Sequence, residues 1–163
     1  MNAEKFTRKS LEALQLAQQT ALKYGNMQIE QQHLLYALLT QEDGLTPEIL
    51  KKLDVNVSKF NADCLTVIER TPKVSGSGRD MDKVYISSDV NNALMAAESE
   101  AERMKDEYVS VEHLLLGLCE CASGQMATLL KNYAISKDKV LQTHVSCIAG
   151  GFFTAEPPEK PQQ

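Results

Sequence analysis

Leu14, Ala17, Ala21 and Tyr24 are spaced by three and four residues, the interval that lines up one face of an α-helix. The same rhythm returns in Val90, Leu94, Ala97, Ala101 and Met104. Alanine at several of these positions predicts close approach by a neighbouring helix. The first pattern stops near Gly25 and the second near Lys105-Asp106, and each is followed by another apolar run, Glu30 to Leu39 and Ser110 to Glu120. Ser110 suits an N-cap and Glu112 lies in the first turn, where the helix dipole favours an acid. Gly44 and Gly124 then interrupt the pattern. Thr46-Pro47-Glu48 reads as cap, first-turn proline and first-turn acid of a short helix through Leu53, with Gln125 to Tyr133 as its counterpart. Last helices open at Asn56 and Ser136, and nothing in the chain reads as a strand.

The two halves are one pattern written twice. Residues 6–68 lie over residues 86–148 at a constant offset of 80 with no gap, and 13 of the 63 aligned positions are identical. His33-Leu34-Leu35 with Leu38 falls on His113-Leu114-Leu115 with Leu118, and Leu50-Lys51 falls on Leu130-Lys131. Matches concentrated at apolar and small positions mean that one helical unit was duplicated. Two copies are too few for a solenoid, so they should pack against each other. The expected architecture is all-α, a pseudo-two-fold pair of four-helix units with about eight helices. Repeat one spans 5–70, a linker 71–85 and repeat two 86–149. Within the linker, Pro72 and the glycines of Ser75-Gly76-Ser77-Gly78 predict a loop. The proline-rich end, 150–163, reads as a disordered tail.

Composition removes several function classes. The net charge is 17 − 22 = −5, against the basic face expected of a nucleic-acid binder. No run reaches the roughly 18 apolar residues of a membrane span, and the polar start lacks a signal-peptide core, so a cytoplasmic protein is expected. Cys64, Cys119, Cys121 and Cys147 do not recur between the copies, which disfavours a disulfide framework. Cys119-x-Cys121 has neither redox nor zinc spacing. There is no phosphate-binding loop, since Gly76-Ser77-Gly78-Arg79 lacks the lysine and the spacing. No cofactor, metal site or catalytic residue is expected. His33 and His113 occupy equivalent positions, which favours a duplicated structural role. A cysteine nucleophile, Cys64 or Cys147 with a histidine, has no signature behind it.

The alanine-rich first helix beginning after Thr7, together with Ser110-Val111-Glu112-His113-Leu114-Leu115-Leu116, resembles the double Clp amino-terminal repeat that opens the Clp/Hsp100 unfoldases and disaggregases. Pro72-Lys73-Val74-Ser75-Gly76-Ser77-Gly78 is similar to the linker of the ClpB branch. The resemblance covers about residues 5 to 143 and lapses after Leu141, where the chain continues His144-Val145-Ser146-Cys147 instead of a charged linker. It implies a domain mounted flexibly above a hexameric ATPase ring. Such a domain binds unfolded or aggregated polypeptide weakly and helps deliver it to the ring. The ATPase modules are missing from this sequence, which makes it a piece of a longer protein or a free-standing truncated product. The alternative is adaptor docking, as in ClpC- and ClpA-type unfoldases that work with a protease.

The resemblance also implies site residues. Thr7, Asp106 and Glu112 match positions implicated in substrate handling, and Ala96, Glu100 and His113 align with an apolar groove. Structural readings stand beside these: Thr7 as N-cap, Asp106 as a solvated loop acid, Glu112 as a first-turn acid.

Overall fold

The computed structural model describes residues 3–74 and 84–149, the side chains of 144–149 excepted. After a 3-10 turn at Ala3–Lys5, eight helices follow: α1 (Arg8–Lys23), α2 (Gln31–Thr40), α3 (Thr46–Lys52), α4 (Val57–Arg70), α5 (Ser88–Arg103), α6 (Val111–Cys121), α7 (Gly124–Asn132) and α8 (Lys137–Ala149). Among the described residues extended structure is confined to isolated bridges. The all-α duplication expected from the sequence is the fold observed. The tail 150–163 and the centre of the linker, 75–83, lie outside the described residues.

Each copy packs its first helix on its second, α1 on α2 and α5 on α6, through the alanine faces. Ala13, Ala17, Ala21, Ala93, Ala97 and Ala101 are all buried. The copies then exchange contacts reciprocally. α1 meets α6 while α5 meets α2, and α3 meets α8 while α4 meets α7. The core is therefore continuous across the duplication.

Two short parallel bridges fasten this exchange. Phe6, ahead of α1, pairs with Val109 in the α5–α6 loop. Ile86, ahead of α5, pairs with Ile29 in the α1–α2 loop. Thr7 N–H donates to Val109 O (3.0 Å) and Val109 N–H to Lys5 O (2.7 Å). At the equivalent place Ser87 N–H donates to Ile29 O (3.0 Å) and Ile29 N–H to Tyr85 O (2.9 Å). The bridges are related by the same 80-residue offset as the sequence repeat, so each copy begins by pairing with a loop of the other.

Helix ends follow a common device. After α1, α3, α5 and α7 the chain turns through a left-handed residue, Gly25, Asp54, Lys105 or Ala134, at φ between 57° and 69°. The next amide reaches back to the helix, as in Asn26 to Ala21 and Asp106 to Ala101, and satisfies carbonyls the helix leaves orphaned. Only one of the four left-handed positions is glycine, which is why three of these ends carry no strong stop signal in the sequence. The start of α3 also differs from expectation. Leu45 is the cap, and Thr46 is the first helical residue with its hydroxyl buried. Asn56 does cap α4, accepting from Lys59 N–H at 3.1 Å.

Candidate functional site

An open groove of about 880 Å³ runs along α1 and is bounded by the segment that leads into α5. Leu11 and Leu14 come from α1, Ile29 from the α1–α2 loop, Val84, Tyr85 and Ile86 from the leading segment and Leu94 from α5. Arg8, Glu12, Gln15 and Gln18 supply polar groups from α1. Helical spacing explains this composition: residues 8, 11, 12, 15 and 18 share one side of α1, next to the alanine face that packs on α2. The bridge between Ile29 and Ile86 holds the opposite wall. Tyr85 is 70 % exposed and Ile86 37 %, large apolar side chains left open to solvent.

The six residues suggested by the family resemblance lie elsewhere, mostly inside. Thr7 is the N-cap of α1. Its Oγ1 accepts from Ser10 N–H (3.1 Å) and donates to Ser10 Oγ, which donates in turn to Val109 O (2.9 Å). It is buried and ties α1 to the loop of the second copy. His113 is fully buried at the start of α6: its Nδ1 accepts from Ser110 N–H (2.9 Å), and its Nε2–H faces Asp106 Oδ2 (2.8 Å). Asp106 is the most accessible of the six, its side chain one-third exposed. Glu112 is buried, and its Oε1 has no hydrogen-bond partner among the described residues. Ala96 packs at the edge of the core.

Glu100 is buried between Arg103 and Lys137, and Lys137 also binds Glu120. Burial raises the Glu100 carboxyl, but the hydrogen bonds from Arg103 and Lys137 outweigh it and hold it below the ordinary carboxylate range. Asp106 and His113 are thus brought together, whereas Ala96, Glu100 and His113 do not line the groove on α1. The lining residues Leu11, Tyr85 and Ile86 were not singled out from the sequence. The available signal was the apolar pair Tyr85-Ile86 just ahead of α5.

Ser110, His113 and Asp106 are the residue types of a hydrolytic triad, yet the geometry denies that role. The Ser110 backbone N–H already occupies Nδ1, and all three groups belong to a helix cap. The first copy builds the same cap from Glu30, His33 and Asn26: Glu30 N–H to Nδ1 at 2.8 Å and Nε2 to Asn26 Oδ1 at 2.7 Å. Histidine here replaces the glutamate of an ordinary capping box. Cys64 is buried and donates weakly to Gln32 O. Burial pushes its thiol, and that of Cys119, up to about 12, opposite to an activated nucleophile. The side chains of Cys147 and His144 lie outside the described residues. Among the described residues no cluster of His, Cys, Asp and Glu could hold a metal, and no helix is long and apolar enough to cross a membrane.

The sequence profile of the Clp repeat (R) N-terminal domain matches residues 5–133. The chain belongs to this family. The Clp N-domain is similar to the chaperone protein ClpB of Bacillus cereus, 33 % identical over 159 residues that cover 98 % of this chain and 18 % of the relative. It is 37 % identical to ClpB of Clostridium tetani over 141 residues, 86 % of this chain and 16 % of that protein. The Clp N-domain thus spans less than a fifth of the curated relatives it matches. Its fold is that of the Hsp104 N-terminal domain from Candida albicans, with TM-score 0.76 and 20 % identity over 94 % of this chain and 96 % of that one. A ClpV N-domain in complex with a VipB peptide has the same fold, with TM-score 0.67 and 15 % identity over 90 % and 88 % of the two chains.

Proposed function

We propose that this chain, with residues 1–149 as one double-repeat domain, is the substrate-binding N-terminal domain of a ClpB-type AAA+ disaggregase. It holds unfolded or aggregated polypeptide weakly and passes it to the ATPase ring of a cytoplasmic hexamer. The observation that carries this reading is the groove between α1 and Val84–Ile86, with an aliphatic floor and two exposed apolar side chains at its lip. Unfolded chains expose apolar side chains that folded ones bury, so such a groove discriminates by folding state. At roughly 25 cal/mol per Å² of apolar area, covering a few hundred Å² yields several kcal/mol. Ordering a flexible chain removes much of that, leaving affinity of about micromolar or weaker. Weak binding suits a domain that must release what it catches.

Thr7, Asp106, Glu112, Ala96, Glu100 and His113 serve this groove from behind. Thr7 fixes the start of α1 against Val109, and the His113–Asp106 pair fixes the loop that carries Val109. Glu112 and Ala96 pack the α5–α6 layer, and Glu100 ties α5 to α8. Their substitution would act by moving α1 rather than by removing a contact with substrate.

The test is a ¹H–¹⁵N titration with a reduced, carboxymethylated protein and, separately, its folded form. The unfolded ligand should shift the amides of Leu11, Gln15, Tyr85 and Ile86, and the folded one should leave them in place. Silence at all four with the unfolded ligand overturns the reading. Adaptor docking is the second reading, supported by a ClpV N-domain that forms a complex with one defined ligand, a VipB peptide. It predicts that a single folded partner outcompetes every denatured protein.

A further inference from the structure

The duplication builds the same bridge twice, and among the described residues only the first has its central amide paired. In a strand, successive peptide groups point to opposite sides. Tyr85 C=O and Ser87 N–H both serve Ile29, so the N–H and C=O of Ile86 point away from it. At the equivalent position in the other bridge, Phe6 N–H donates to Ala3 O (3.1 Å) within the 3-10 turn, and the Phe6 side chain is fully buried. The Ile86 amide and carbonyl have no hydrogen-bond partner among the described residues, and the Ile86 side chain remains part-exposed beside the groove. Natural proteins blunt such an edge with charge, proline or a covering element, yet here the two residues at it are Tyr85 and Ile86. The first bridge shows what completes the second: a peptide carbonyl, presented by a chain lying alongside.

Resting on the groove reading above, we propose that the bound polypeptide adds itself as a β-strand to the open edge of Val84–Ser87 and is recognised through its main chain. Its backbone pairs with Ile86 N–H and C=O. Its alternate side chains drop toward Leu11, Leu14 and Leu94, while the others face solvent. Main-chain hydrogen bonds are the same for every sequence, so a site of this kind accepts many clients while demanding that they be extended. Folded proteins, whose strands are already paired, fail that demand.

The experiment uses a short alternating valine–threonine peptide with lysine at each end, and two versions N-methylated on alternate residues in opposite registers. N-methylation removes donors without removing side chains. The parent peptide should bind and shift the Ile86 amide downfield. One methylated register should bind about tenfold or more weakly, the loss expected for one or two backbone hydrogen bonds, and the other should bind like the parent. Equal binding of all three peptides overturns strand addition while leaving the groove as a side-chain site. If neither the parent peptide nor the unfolded protein shifts any groove amide, the groove reading itself fails. Hydrogen exchange on the free protein adds an independent check: the Ile86 amide should exchange rapidly. Strong protection there would mean that the chain covers its own edge, which also overturns the proposal.

Discussion

His113 Nε2 lies 2.8 Å from Asp106 Oδ2, at the positions where the first copy sets His33 Nε2 2.7 Å from Asn26 Oδ1. One cap was thus duplicated and then given two electrostatic settings. In both copies a backbone N–H donates to Nδ1, so Nε2 is the nitrogen that faces the side-chain oxygen. In the first copy the acceptor is an amide, and nothing compensates a charged ring.

That difference predicts a pH dependence. Burial lowers His33 from 6.5 to about 4. The unfolded chain therefore takes up the proton first, and the contribution present at neutral pH is lost as pH falls from 6.5 toward 4. Integrated over that window, the effect is at most about 3 kcal/mol. Ring NMR should find His33 still neutral near pH 5, and Asn26→Asp should raise its pKa by about one unit or more by supplying an anion. An unchanged titration in the variant would contradict the cap geometry.

Gly117 sets how closely α5 and α6 cross. A Cβ there would stand 2.2 Å from Ala93 O, whereas the first copy accommodates Ala37 at the matching position. Gly117→Ala should lower stability by about 1–3 kcal/mol through overpacking of backbone, which cannot swing aside. Urea denaturation measures it. A neutral result would mean that the second copy can open to the spacing of the first.

Lys137→Met should expose the cost of a buried carboxylate. Glu100 would keep Arg103, which faces solvent, and lose its partner from α8. We expect a loss of about 2 kcal/mol at neutral pH, less than for a fully desolvated pair because Lys137 is itself part-exposed. Because the paired Glu100 has a lowered pKa, its contribution is present above the ordinary glutamate range and lost as pH falls through it. The deficit of the variant should therefore shrink in acid, a trend that denaturation curves at several pH values would reveal.

Tyr85→Ala tests the groove without touching the core, since the side chain is mostly exposed. Affinity for an unfolded protein should fall about three- to tenfold, as expected for the loss of roughly 1 kcal/mol of apolar contact. The urea midpoint should stay where it is. Unchanged affinity, measured by fluorescence anisotropy, would remove Tyr85 from the binding surface.

Much of the fold was legible because its signals are local. Apolar spacing located the helices, Asn56 and Ser110 marked two starts, and the 80-residue offset announced the duplication. The ends before Asp54, Lys105 and Ala134 were marked by where the apolar rhythm stops, since the left-handed turns there use residues with no preference for them. The site was least legible. Ala96, Glu100 and His113 suggest a surface only by resemblance. Leu11 and Ile86 become neighbours of one groove through a bridge between segments far apart in the chain.

The amino-acid sequence by itself determined that this protein is a doubled bundle of amphipathic helices with apolar faces to bury, because helical periodicity and repetition are written along the chain. Tertiary structure alone decided which apolar residues stayed outside. Phe6 and Ile86 hold the same place in the repeat, yet Phe6 is fully buried with its amide bonded to Ala3 O, whereas Ile86 is part-exposed beside α1. Burial depends on what the rest of the chain brings alongside, and a one-dimensional pattern does not contain it.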